Sequence, residues 1–193
     1  MRLFVALRPP QGALDALEAA VAPLRADRPE LRWTHRDHWH VTLAFLGEVD
    51  EGRLDELMTR LERAASRHPG RELRIGRGGA FPAASRARVL IARVDGAPAD
   101  LAGLAALAAS VAAGARRAGA PPPDEGRQYR PHLTLARCRQ PTDVSDLILA
   151  LPGEPAEPAE PWPATEIHLI KSQLGPHPTY TTLATWPLKH GTA

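Results

Sequence analysis

Two stretches of this chain carry one pattern: His40-Val41-Thr42-Leu43 and His132-Leu133-Thr134-Leu135, with the histidines 92 positions apart. An imidazole titrates near pH 6.5, so around neutrality it can hold a proton or take one. A threonine hydroxyl donates one hydrogen bond. Along an extended strand alternate side chains share a face. His40 therefore falls with Thr42 and His132 with Thr134, while Val41, Leu43, Leu133 and Leu135 turn toward a core. If both pairs face one cleft, they suit in-line displacement at phosphorus. One imidazole takes a proton from the attacking oxygen, and the other gives one to the leaving oxygen on the far side. The hydroxyls meet the non-bridging oxygens, where charge gathers. Nothing in this scheme requires a metal. An acid and a base each contribute about 10²–10⁴-fold, and an oxyanion donor about 10²–10³-fold. That total suits a strained cyclic phosphate better than an ordinary diester.

Other residues invite a role. Arg130 lies two positions before His132, on the same face by alternation. Arg137 lies five after it, so a bulge or the strand's end must redirect it to reach the cleft. Phe45 could stack on a base, yet alternation sets it with Val41 and Leu43, in the core. His35, His38 and His40 have a spacing that suggests a metal. No cysteine accompanies them, and Asp37 opposes His38 if the segment is a strand, so no metal or other cofactor is expected. His38 is expected at the cleft rim or on the surface. The GRGG run at 76–79 lacks the Lys-Ser/Thr and the following helix of a phosphate loop. His168, His177 and His190 belong to no motif.

The elements that must position these residues are legible from periodicity and breakers. Strands are expected at 2–8, ended by Pro9 and Pro10, and at 31–49, where a short strand and a turn near Arg36–Asp37 lead into the first motif. Further strands fall at 73–81, 87–94, 130–138 (the second motif), 164–174 and 179–188. Helical spacing marks 11–26, 51–67 and an Ala/Leu segment at 97–118, with a weaker helix at 143–150. The prolines and glutamates of 152–163 read as a solvated loop. This order gives an α+β fold, with helices outside antiparallel sheets, as one domain over residues 1–193.

Composition bounds the rest. Hydrophobic residues make up 44% of the 193, enough for a substantial core. A net charge of +2 does not establish nucleic-acid binding, but it permits a local basic cleft. The single cysteine, Cys138, allows no internal disulfide and fits a reducing compartment. The N-terminus does not read as a signal peptide, and the Ala-rich segment is interrupted by Asp100, Arg116, Arg117 and glycines. The expectation is a cytoplasmic monomer away from membranes.

At the paired motifs the chain resembles the 2H phosphoesterase superfamily, named for its two His-x-Thr/Ser motifs. More narrowly it resembles the bacterial and archaeal RNA 2′,3′-cyclic phosphodiesterases, historically called 2′-5′ RNA ligases. RLFVAL at the start, HVTLAFLGEV (40–49), YRPHLTLAR (129–137) and IHLIKSQLGPHPTYTTLATWPL (167–188) carry the likeness over essentially the whole length. The resemblance implies a bilobal α+β fold, two pseudo-symmetric lobes around a V-shaped cleft. It implies hydrolysis of a 2′,3′-cyclic phosphate, on an RNA end or a nucleoside, to a 2′-phosphomonoester. His40 corresponds to the acid for the 3′-oxygen and His132 to the base that activates water. Thr42 and Thr134 correspond to the phosphate-binding hydroxyls, and Arg137 to a phosphate contact. Tyr180 aligns with a position near the cleft. The alternatives are 2′-5′ ligation or cleavage of 2′-5′ linkages by the same groups, and non-catalytic binding of RNA ends.

Overall fold

A computed structural model describes residues 1–123, 126–151, 160–175 and 178–189. In chain order the elements are β1 (Arg2–Leu7), α1 (Gln11–Asp27), β2 (Arg32–Trp33), β3 (Val41–Glu48), α2 (Leu54–Ala65), β4 (Arg71–Phe81), β5 (Ala87–Asp95), α3 (Pro98–Arg117), β6 (His132–Thr142), α4 (Ser145–Ala150), β7 (Trp162–Ala164), β8 (Glu166–Gln173) and β9 (Thr179–Pro187). They build two sheets, ordered β3-β1-β8-β9 and β2-β6-β5-β4-β7. Every strand pair is antiparallel. The first motif leads into an edge strand of one sheet, and the second opens β6 of the other.

β1 is apolar on both faces because both are covered. Leu3, Val5 and Leu7 enter the main core, while Phe4 and Ala6 face a second, smaller cluster with Ile170, Phe45 and Tyr180. The main core runs through both lobes, from Val41 and Leu43 to Leu133 and Leu135. α2 turns Leu57, Leu61, Ala64 and Ala65 inward at helical spacing. α3 packs on α2 and approaches it closely at Gly114, where a Cβ would lie 3.3 Å from the Arg60 carbonyl. By length and composition α3 could cross a membrane, contrary to the expectation from its charged residues. Its Leu104, Leu107, Val111 and Ala115 are nevertheless fully buried in the main core, as in a core helix.

The structure departs from the expected elements in three places. Residues Trp162–Ala164, the first two of them expected within a solvated loop, form β7 against Arg71–Leu73, with Trp162 buried. Pairing with β4, rather than any local preference, makes this strand. Arg36–His38 form a 3₁₀ turn, so the strand alternation invoked for Asp37 and His38 does not apply. β6 continues to Thr142, beyond the expected end at 138. Residues 152–159 of the Pro/Glu stretch, with His177 and His190, lie outside the described residues.

Candidate active site

Both motif strands share one irregularity. In β3, Thr42 pairs with Ala6 and Ala44 with Val5, so Leu43 is an extra residue. In β6, Thr134 pairs with Ile91 and Ala136 with Leu90, so Leu135 is the extra residue. A bulge of one residue resets the alternation. Leu43 with Ala44, and Leu135 with Ala136, are therefore both buried. The residue five places after each histidine comes round to the histidine's own face.

This meets the geometric requirement stated for Arg137, which pairs with Val89 and is exposed on that face. It corrects the expectation for Phe45. Phe45 pairs with Phe4 and packs on the cleft-side cluster, not in the main core. The Arg2 guanidinium lies 4.5 Å from its ring centroid. Arg130 precedes β6 and stands outside the ladder, so alternation does not place it. It is exposed and lines the cleft.

The histidines are held alike. His40 Nδ1 lies 2.6 Å from the His38 carbonyl, and His132 Nδ1 lies 2.7 Å from the Arg130 carbonyl. A carbonyl only accepts, so each Nδ1 carries the proton and donates it, and each Nε2 is left to do chemistry. Each ring also leans on a phenylalanine: Phe4 at 4.6 Å from His40, and Phe81 at 5.1 Å and nearly perpendicular to His132.

A cleft of about 1040 Å³ brings Thr42 of one lobe together with His132 and Arg130 of the other, walled by Phe45, Phe81 and Tyr129. The Tyr129 hydroxyl donates to the Thr42 carbonyl at 3.0 Å, tying the segment before β6 to β3. Thr134 shares the His132 face and is half-buried. Tyr180 stands among the rings of His38 (4.4 Å), Phe4 (5.2 Å) and His40 (5.6 Å). Phe4, Phe81 and Tyr129 were not singled out from the sequence. The signal for Phe4 was weak, because a strand buried on both faces shows no alternation. Tyr129 lies inside the quoted flank of the second motif.

Burial dominates the electrostatics. It pushes His40 down to about 4, against the His38 carbonyl bond, with the charges of Arg8, His132 and His38 lowering it further. His132 is lowered chiefly by burial and also by Arg137, against the Arg130 carbonyl bond. The charge of Arg137 reaches Tyr180 as well, which burial raises. The charge of His132 thus bears on His40, and that of Arg137 on both His132 and Tyr180. With both imidazoles neutral at pH 7, the site is a low-dielectric slot flanked by arginines, suited to an anion that would itself raise both histidines.

Known proteins resemble this chain over most of its length. The sequence model described as the 2′-5′ RNA ligase superfamily matches residues 13–176. The RNA 2′,3′-cyclic phosphodiesterase of Thermus thermophilus is 29% identical over 99% of this chain and 93% of its own. The crystal structure of TT0787 from the same bacterium superposes over all of both chains, with a TM-score of 0.78 and 27% identity. E. coli LigT complexed with 3′-AMP covers 97% of each chain, with a TM-score of 0.71 and 27% identity. The expected two-lobed α+β fold is therefore the observed one.

Proposed function

The chain belongs to the 2′-5′ RNA ligase superfamily of 2H phosphoesterases, and on that premise we propose that it is an RNA 2′,3′-cyclic phosphodiesterase working by paired histidines without a metal. The observation that carries this reading is the matched build of the two His-Thr strands. Each has its bulge at the residue after threonine, and each histidine has Nδ1 pinned to its own backbone.

In this reading His132 Nε2 accepts a proton from water, whose oxygen forms the new bond to phosphorus. The P–O3′ bond breaks in line, and His40 Nε2–H protonates the departing 3′-oxygen. The 2′-oxygen stays on phosphorus, so a 2′-phosphomonoester results. Two features favour this division of roles. His132 is the more open ring, accessible to water, whereas burial lowers His40 to about 4 and makes its imidazolium a ready proton donor. The anionic substrate favours protonation of His40 on arrival. Thr42, Thr134 and Arg137 receive the non-bridging oxygens, Arg130 lines the approach, and Phe45 and Tyr180 wall the His40 side.

The test is an oligonucleotide ending in a 2′,3′-cyclic phosphate, incubated in excess EDTA, with the product read by phosphorus NMR. A 2′-phosphate end is expected. A 3′-phosphate product, no turnover, or strict dependence on added metal contradicts the proposal.

A further inference from the structure

β1 is followed by an arginine that the proposed chemistry leaves without a task. Phe4 and Ala6 face the cleft-side cluster, and Arg8 follows the last residue of β1. The ladder ends at the Leu7–Val41 pair, so Arg8 leaves β1 beside the point where His40 enters β3. Arg8 is exposed, and among the described residues no carboxylate pairs with it. Its charge bears on His38, His40 and His168, lowering all three. Carboxylates in this neighbourhood are otherwise occupied: Glu166 lies 3.5 Å from His168, and Asp37 lies 3.4 Å from His35. His168 is also engaged, 3.0 Å from the Thr185 hydroxyl.

We infer that Arg8 receives the 5′-phosphate of the terminal nucleotide, so that the enzyme prefers an RNA 3′ end to a free nucleoside 2′,3′-cyclic phosphate. The inference rests on the reading of the site above. With water arriving from the His132 side and the 3′-oxygen leaving toward His40, the ribose lies over the β1–β3 side of phosphorus. The phosphate joining that ribose to the rest of the chain is one sugar away, on the same side. Two arginines, one at each end of β1, could meet it. Arg2 lies over Phe45, at the end of β1 remote from His40. Arg8 leaves β1 beside His40, and among the described residues no carboxylate pairs with it. A free nucleoside has a neutral 5′-hydroxyl there and gains nothing from the cation.

The test compares kcat/KM for a dinucleotide ending in a 2′,3′-cyclic phosphate with that for the matching nucleoside 2′,3′-cyclic phosphate. Changes in His40 titration act on both substrates and cancel in the ratio. The wild type should favour the dinucleotide, and rising salt should erode that preference. Arg8→Gln should lower the ratio about tenfold, the size of one charge-assisted contact. Arg8→Lys should keep most of it. A ratio unchanged by Arg8→Gln, or a wild type with no preference, overturns the inference. So does a ratio that collapses in Arg130→Gln instead, which would send the strand along α3 past Arg88 and Arg130. Hydrolysis of neither substrate would instead overturn the underlying reading of the site, and this inference with it.

Discussion

An imidazole with Nδ1 bonded to its own backbone has one working nitrogen and one orientation, and the chain builds this arrangement twice. Replacing either His40 or His132 by alanine removes one proton-transfer step. Turnover of the cyclic phosphate should fall at least about 10²-fold in each variant, with the fold retained by circular dichroism. The pH dependence has a definite sign. For kcat/KM the free enzyme must carry a proton on His40 and none on His132. The first condition fails as pH rises above about 4, and the second fails as pH falls below the lowered His132 value. Hence kcat/KM should fall by about tenfold per unit from pH 6.5 to 8. The kcat profile should sit at higher pH, because bound phosphate raises both rings. A kcat/KM that is flat or rising over that range would show that the acid is not His40.

At the scale of elements the bulges decide what the sequence could reveal. Alternation correctly paired His40 with Thr42 and His132 with Thr134. It failed for Phe45, because no glycine or proline marks Leu43 as an extra residue. The same irregularity was demanded at the second motif only because Arg137 had to reach the cleft; the offset of five from His40 to Phe45 is the same offset. β7 was illegible for another reason: three residues that include a proline become a strand only through β4. The long strands and the helices were readable because their apolar periods are those of the faces they bury. The Tyr129 hydroxyl ties the segment before β6 to β3. Tyr129→Phe removes its bond to the Thr42 carbonyl and should cost about 1 kcal/mol of stability by urea unfolding. A loss of kcat/KM should accompany it, since that bond joins the two halves of the site.

The two lobes share one buried core, so the site depends on the stability of the whole molecule. His40 links that stability to pH. Unfolded, it takes up a proton near pH 6.5, whereas in the folded protein burial delays this to about 4. Its contribution is thus intact above pH 6.5 and lost progressively as pH falls toward 4. The urea midpoint should drop across this window, and His40→Ala should flatten the drop; an equal drop in the variant would remove His40 as a cause. The claim on which the account turns is that both imidazoles flank a single phosphate. The most direct measurement follows the ring protons of His40 and His132 by NMR against pH, with and without a nucleoside 2′-monophosphate. The account predicts that the ligand raises both titrations together, with one dissociation constant. A ligand that moves only one of them, or neither, would contradict it.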